Sequence, residues 1–164
     1  MFTKAVHEAL NDQVRSEISS AYLYLSMSSF CESENLPGLA KWLRVQWEEE
    51  LAHAMKLFDF VNERGGQLTL QAIDKPQSKW KSPLDVFESV LAHEQKVTAS
   101  INKVYEVAIK EKDYPTQVEL QWFIKEQVEE ERHAGEIVQL MKLAGTSGPS
   151  LLMLDRQLGA RVKG

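Results

Sequence analysis

Six polar or acidic residues interrupt the apolar repeats of this sequence at positions that a helical bundle would bury. Four long segments each place residues at alternating spacings of four and three, the pattern that faces the core of a bundle. Near the middle of each segment, an acidic or polar residue breaks this pattern. Because mid-helix positions of an up-and-down bundle meet in one layer, these residues should share a small central volume: Glu17, Glu50, His53, Glu94, Gln127 and Glu130.

Ordinary salt bridges do not explain this layer well. The four core-facing repeats carry no lysine or arginine at this level. A buried carboxylate without a partner costs several kcal/mol, against a typical total stability of about 5–15 kcal/mol. The carboxyl groups must therefore keep protons or bind cations. The alternative to a metal site is a purely structural polar layer. Carboxylates with one imidazole suit a hard to borderline divalent metal.

The spacing within the second segment favours two metal ions. Glu50-x-x-His53 places a carboxylate and an imidazole on one helix face, and Glu50 can bridge two ions. Dinuclear carboxylate bundles use one glutamate from each of two helices and a Glu-x-x-His pair from each of the other two. Here Gln127-x-x-Glu130 replaces the second pair. The pattern predicts a dinuclear site with one altered ligand pair.

Helix-breaking residues mark the elements that must position this layer. Prolines suited to first helical turns and the Gly65-Gly66 pair set the boundaries. Short turns make the first two helices antiparallel neighbours, and likewise the third and fourth. The connection 65–82 is long enough to run the length of the bundle, which leaves the second and third helices parallel. The predicted helices span approximately 4–33, 37–64, 83–112, 114–144 and 150–162.

Composition narrows the class of protein. The 164 residues make about one domain, here predicted over 1–164 with its bundle at 4–144, and a net charge of −5 argues against a nucleic-acid binder. The single Cys31 excludes an internal disulfide and suits a reducing compartment. The longest uncharged run, 18–31, is shorter than the roughly 18 residues of a spanning helix. With no signal-peptide layout at its start, the chain is expected in the cytoplasm, away from membranes.

Four stretches carry a resemblance to a known family. They are SAYLYLSM at 20–27, WLRVQWEEELAHA at 42–54, FDFVNERGG at 58–66 and QWFIKEQVEEE at 121–131. Together they make the chain similar to prokaryotic non-haem ferritins along nearly its whole length. The resemblance implies an all-α, ferritin-like four-helix bundle with one long crossover and a short fifth C-terminal helix. It also implies iron storage with ferroxidase activity, Fe(II) and dioxygen being the substrates.

The resemblance assigns roles to the residues of the layer. One iron would use Glu17, Glu50 and His53. The second would use Glu50, Glu94 and Glu130, with Gln127 hydrogen-bonding nearby. Ferric iron would then mineralise inside a hollow shell of twenty-four subunits. The alternative is a non-catalytic helical cage or interaction protein whose carboxylates bind only structural metal.

Haem binding and a third iron site are two further features found among ferritins. A bacterioferritin would carry a haem-ligating methionine where this chain has Leu51, so no haem is expected. The resemblance suggests a third iron site near the shell interior, and a solvated acidic face is the alternative. The residues concerned are Glu49, Glu126 and Glu129.

Two further positions are open to more than one interpretation. Tyr24, two turns after Glu17, could donate an electron, hydrogen-bond to the iron-oxygen unit, or simply pack. His93 lies off the core-facing repeats and is expected at the surface, as are the other two histidines outside the layer.

The sequence of the fifth helix predicts that the chain assembles with copies of itself. It carries Leu151, Leu152, Leu154 and Leu158, which have no obvious place in a closed four-helix core. Exposed leucines of this kind mark an interface. The resemblance places the helix around a symmetry axis, packed against copies of itself. The alternative is that the segment folds back along its own bundle.

Overall fold

The computed structural model describes residues 1–162, so the last two residues of the predicted 1–164 domain lie outside it. Residues 1–162 form five helices and no strand, which confirms the all-α prediction. No helix in this range combines the length and hydropathy needed to cross a membrane. The helices are α1 (Lys4–Ser33), α2 (Pro37–Glu63), α3 (Pro83–Lys110), α4 (Tyr114–Ala144) and α5 (Gly148–Gly159).

Side-chain caps explain where most of these helices begin. The Ser82 hydroxyl accepts a hydrogen bond from the backbone N–H of Asp85 at 3.1 Å, and Pro83 occupies the first turn of α3. The Asp113 carboxylate caps α4 in the same way, accepting from the N–H of Thr116 at 3.1 Å. Each cap satisfies an N–H group that the first turn of a helix leaves free. The breaker residues in the sequence therefore correspond to real helix starts.

The long crossover follows α1 along the length of the bundle. Residues that come later in the crossover contact residues that come later in α1, so the two run in the same direction. This path returns the chain to the end where α2 began, and α3 is therefore parallel to α2, as predicted. The contacts are Gln67 O with His7 Nε2 at 2.8 Å, Thr69 N with Asn11 Oδ1 at 2.8 Å, and Gln77 O with Ser26 Oγ at 2.6 Å.

A heptad pattern places one buried glutamate between two apolar clusters on every long helix. The residue seven positions before each glutamate belongs to one of the two clusters. The residue seven positions after it belongs to the other cluster. The order of the clusters reverses between α1 and α2 and again between α3 and α4, which reproduces the antiparallel pairs. The four triplets are Leu10-Glu17-Tyr24, Leu43-Glu50-Leu57, Phe87-Glu94-Ile101 and Phe123-Glu130-Ile137.

Helix α5 packs on one end of its own bundle. Leu154 is buried, and Leu151 and Leu158 are half-buried against the apolar cluster at that end. The expectation that these leucines have no place within the chain is therefore wrong for three of them. The bundle end between the start of α2 and the end of α4 is open, and these side chains cover it. Leu152 remains exposed, together with Met153.

The contact between α5 and α2 depends on close backbone approach. The Asp155 carboxylate accepts a hydrogen bond from the N–H of Leu39 at 2.8 Å and so caps α2, whose N-cap residue Leu36 has no capping side chain. A Cβ atom built on Gly38 would lie 1.8 Å from the backbone oxygen of Asp155. Glycine is therefore required at Gly38 for α5 to dock here.

Two glycine-to-alanine changes should have opposite effects on stability. Gly38→Ala should lower the free energy of unfolding by about 2 kcal/mol, since overpacking typically costs about 1–3 kcal/mol. Gly135→Ala, in α4, places its Cβ in open space and should raise it by up to about 1 kcal/mol through helix propensity alone. Denaturant unfolding of both variants measures the difference. Equal stabilisation by the two changes would contradict the close packing of α5 on α2.

Candidate metal centre

The four long helices bring all six predicted residues of the layer into the bundle interior. Each of the six side chains belongs to a residue that is at most 6% exposed. Helix α2 contributes two of them and α4 two, whereas α1 and α3 contribute one each. The two apolar clusters close this layer above and below. The residues are Glu17, Glu50, His53, Glu94, Gln127 and Glu130.

Three of these residues form a compact group of potential ligands. Glu17, Glu50 and His53 each offer one ligand atom, and these atoms lie within 4.8 Å of one another. His53 Nδ1 lies 3.5 Å from Glu50 Oε2. Glu17 Oε2 and Glu50 Oε2 are buried and accept no hydrogen bond. Buried carboxylate oxygens that lack a donor are the atoms that a cation would satisfy.

Glu94 is held by donors from two other helices. The Tyr24 hydroxyl donates to Glu94 Oε1, and Gln127 Nε2 donates to Glu94 Oε2 at 3.0 Å. Gln127 Nε2 also lies 3.2 Å from the backbone oxygen of Glu94. Gln127 therefore uses its side-chain nitrogen to orient Glu94. Tyr24, which is fully buried, does the same from the opposite side.

Gln46 connects the remaining two glutamates. Its Nε2 donates to Glu130 Oε2 at 2.9 Å and lies 3.4 Å from Glu50 Oε1. Within residues 1–162, the compact ligand group stops at the three residues named above and does not include Glu94 or Glu130. The carboxylate of Glu50 thus has one oxygen near His53 and the other near the amide that holds Glu130.

Burial raises the pKa of every carboxyl group in the layer, and repulsion between these groups adds to the effect at Glu17, Glu50 and Glu130. Burial raises the pKa of Glu17 well above its ordinary value, and the charge of Glu50 adds to this. The pKa of Glu50 is raised well above its ordinary value by burial and then by Glu94. Burial also raises the pKa of Glu94, and burial with the Glu94 charge raises that of Glu130 to about 7. Without cations, the layer therefore retains protons near neutral pH.

Comparison with known proteins agrees with this geometry. A family model described as a ferritin-like domain matches residues 7–144. A bacterial non-heme ferritin of Bacteroides fragilis is 40% identical over 161 residues, covering 98% of this chain and all of that one. One of Campylobacter jejuni is 41% identical, covering 96% and 95%. The chain belongs to the ferritin family. A solved open pore ferritin from Archaeoglobus fulgidus is 50% identical, with a TM-score of 0.97 over 99% of both chains.

Two glutamines near the candidate ligands were not predicted as site residues. Gln13 Nε2 donates to Glu17 Oε1 at 2.7 Å, and Ser100 donates to Gln13 Oε1 at 2.6 Å. Gln46 bears the same spacing to Glu50 as Gln13 does to Glu17. A glutamine one helical turn before a buried glutamate, on both α1 and α2, is a signal that the sequence contains.

The acidic residues beside the layer are more exposed. Glu49 is half-buried and pairs with Arg161, whose Nη2 lies 2.5 Å from Glu49 Oε2. Glu126 is half-buried and Glu129 is exposed. None of the three belongs to the compact ligand group found within residues 1–162. A third iron site at Glu49, Glu126 and Glu129 stays a prediction.

His93 is not the surface residue that its position outside the repeats suggested. Its Nε2 lies 2.8 Å from the Ser20 hydroxyl, and its ring meets the Tyr24 ring edge-on with centroids 5.8 Å apart. Burial, with Lys96 nearby, lowers the pKa of His93 to about 4. The side chain is half-buried rather than fully exposed, because α1 packs against this side of α3.

Removing the charge at Glu130 should alter how stability depends on pH. The folded state of the metal-free protein holds the Glu130 proton more tightly than the unfolded chain, whose pKa is near 4.5. The free energy of unfolding should therefore fall as the pH rises from about 4.5 to about 7. Glu130→Gln cannot ionise, so its advantage over the wild type should grow from near zero to about 3 kcal/mol over that range.

Denaturant unfolding in the presence of a chelator measures this difference at each pH. The exposed Glu63, at the end of α2, provides the control. Glu63→Gln should track the wild type throughout. A difference between Glu130→Gln and the wild type that stays constant with pH would contradict the raised pKa of Glu130.

Proposed function

We propose that this ferritin oxidises Fe(II) to Fe(III) with dioxygen at the buried layer and stores the product as a ferric mineral. The observation that carries the proposal is the pair of buried oxygens without donors, Glu17 Oε2 and Glu50 Oε2, in a layer of four carboxylates. Membership of the ferritin family supports iron as the cation. Such a layer is costly for the protein alone and favourable once cations occupy it.

Two iron ions share the layer in this proposal. The first is bound by Glu17, Glu50 and His53, whose ligand atoms already form the compact group. The second is bound by Glu50, Glu94 and Glu130. Glu50 bridges them, which is consistent with its position between His53 and the Gln46 amide. Neutral imidazole and carboxylate oxygens suit Fe(II) and Fe(III) alike.

The electrostatics of the layer favour oxidation of the bound iron. Two Fe(II) ions each lose one electron and become Fe(III), with one more positive charge. Together they supply the two electrons that reduce one dioxygen to the oxidation level of peroxide. Four carboxylates in a medium of low dielectric constant stabilise the higher charge more strongly than the lower. The groups with raised pKa values must release protons for iron to bind, so iron binding should strengthen as the pH rises through neutrality.

The surrounding side chains keep the ligands in place. Gln13 holds one oxygen of Glu17, leaving the other for iron. Tyr24 and Gln127 hold Glu94 from two sides. Such hydrogen bonds to ligands tune affinity and orientation. Electron donation by Tyr24 is an additional role that remains a prediction.

A third iron would bind beside the layer, on Glu49, Glu126 and Glu129. The acidic character of this group and its proximity in sequence to the bridging and second-iron ligands support the proposal. In the present structure Glu49 is paired with Arg161. A cation at this third site would therefore share Glu49 with the guanidinium or displace it.

Storage requires an enclosed space, so we propose a hollow homo-oligomer of twenty-four chains. A single bundle is filled by its own side chains, whereas closed point-group symmetry creates an interior. Leu152 and Met153 on α5 are 55% and 72% exposed in the isolated chain, which supports contacts with neighbouring copies. The free thiol of Cys31, buried in the bundle, suits the reducing cytoplasm in which we place the protein.

Replacing the bridging ligand should abolish rapid iron oxidation. Glu50→Ala should reduce the initial rate of Fe(II) oxidation to that of buffer, because Glu50 would touch both ions. The bundle should remain folded, since the change removes a buried carboxyl group that has an orphaned oxygen. Stopped-flow absorbance of Fe(III) with simultaneous dioxygen uptake measures the rate.

Glu63→Ala, at an exposed position of the same helix, is the matched control and should oxidise iron like the wild type. A Glu50→Ala variant with the wild-type initial rate would contradict the ligand assignment. A wild-type protein that binds iron but oxidises it no faster than buffer would indicate the alternative, a cage with structural metal.

Assembly should be visible in solution. Light scattering of the purified protein should give one species of about twenty-four times the 18.7 kDa chain mass, since closed symmetry fixes the number of copies. The mass should stay constant on dilution through the micromolar range. A monodisperse monomer or dimer would contradict the shell and mineral storage, while leaving the metal centre intact.

A further inference from the structure

The C-terminal end of the described chain reaches back to the metal centre. Arg161 lies just beyond α5, and its guanidinium rests along one face of α2. Nη1 donates to Gln46 Oε1 at 3.0 Å, and Nη2 donates to Glu49 Oε2 at 2.5 Å. The guanidinium also stacks over the Trp42 ring, with Cζ 4.3 Å from the ring centroid. One side chain thus contacts three successive turns of α2.

Arg161 determines which way the Gln46 amide faces. An arginine can only donate hydrogen bonds, so Gln46 must present its carbonyl oxygen to it. The Gln46 nitrogen then faces the carboxylates on the other side, 2.9 Å from Glu130 Oε2. A reversed amide would place its oxygen against a carboxylate oxygen and its nitrogen against the guanidinium. Because arginine keeps its charge at all accessible pH values, this orientation does not depend on pH.

We propose that Arg161 is a positioning residue of the metal centre, which acts through Gln46 to hold Glu130 and Glu50 in place for the second iron. The proposal deepens the proposed function and rests on it for the identity of the ions. Gln46 holds Glu130 Oε2, which leaves the second oxygen of that carboxylate for a cation. Groups that hydrogen-bond directly to metal ligands, as Gln46 does to Glu130, typically contribute about 10- to 100-fold to metal affinity.

The docking of α5 fixes Arg161 at this place. Asp155 caps α2 through the N–H of Leu39, and Gly159 approaches Gly38 so closely that a Cβ on Gly159 would lie 2.8 Å from the Gly38 Cα. The chain leaves α5 two residues before Arg161, beside the first turns of α2. Thus the helix that closes the bundle end also delivers a cation to the edge of the carboxylate layer.

A metal titration of the whole protein tests the proposal. Calorimetric titration with Co(II), which does not turn over with dioxygen, should show two ions per chain in the wild type. Arg161→Ala should weaken binding of the second ion by about tenfold or more. It should affect the first ion, at Glu17, Glu50 and His53, much less, because Glu50 is the only ligand of that ion that Gln46 contacts. Arg156→Ala, which removes the same charge from an exposed position of α5, is the matched control and should bind as the wild type does.

A double-mutant cycle then distinguishes positioning from general stabilisation. If Arg161 acts through Gln46, Arg161→Ala should cause no further loss of Co(II) affinity in a Gln46→Ala background. The visible absorption of bound Co(II) should change in both single variants and not in Arg156→Ala. For Fe(II) oxidation, Arg161→Ala should raise KM more than it lowers kcat.

Two results would overturn the proposal. One is wild-type affinity for both Co(II) ions in Arg161→Ala, with or without a lower melting temperature. The other is additive loss in the double variant, which would mean that Arg161 does not act through Gln46. Neither result depends on iron oxidation. A wild-type protein that binds two Co(II) ions but fails to oxidise Fe(II) would refute the proposed function and leave the role of Arg161 intact.

Discussion

Repulsion among buried carboxylates is the constraint on which this structure depends. Glu17, Glu50, Glu94 and Glu130 lie between two apolar clusters, where water cannot screen their charges. Burial and the neighbouring charges raise their pKa values, so we expect the metal-free chain to relieve the repulsion by retaining protons. In our proposal cations resolve it better, because they satisfy two oxygens that accept no hydrogen bond, Glu17 Oε2 and Glu50 Oε2. The same constraint therefore underlies both the pH dependence of stability that we predict and the metal binding that we propose.

The rest of the fold makes this layer tolerable and keeps it ordered. Apolar residues one heptad away on every helix seal the layer from both ends. Neutral donors then hold selected oxygens: Gln13 holds Glu17, Gln46 holds Glu130, and Tyr24 holds Glu94. Each donor fixes a carboxylate without adding a positive charge inside the layer. The guanidinium of Arg161 stays at the edge of the layer, bound to Glu49 and Gln46.

Local patterns made much of this predictable from the sequence. The four long helices, their antiparallel pairs and the polar layer follow from heptad spacing and from prolines and glycines at helix ends. The Arg161–Gln46 contact joins residues far apart in the chain and depends on the direction that α5 takes after the turn that follows α4, which no local pattern encodes. The burial of Leu154 and the partial burial of His93, Leu151 and Leu158 also depend on interhelical packing. Gln13 is different, since its spacing to Glu17 matches that of Gln46 to Glu50.

The claim that the four carboxylates exist to hold two cations is tested most directly by anomalous diffraction. Crystals soaked with Fe(II) under anaerobic conditions would be measured on both sides of the iron absorption edge. Two anomalous peaks per chain should appear in the layer, one beside Glu17 and His53 and one beside Glu94 and Glu130, with Glu50 in contact with both. A layer without iron peaks, while iron occupies other positions of the same crystal, would contradict the account.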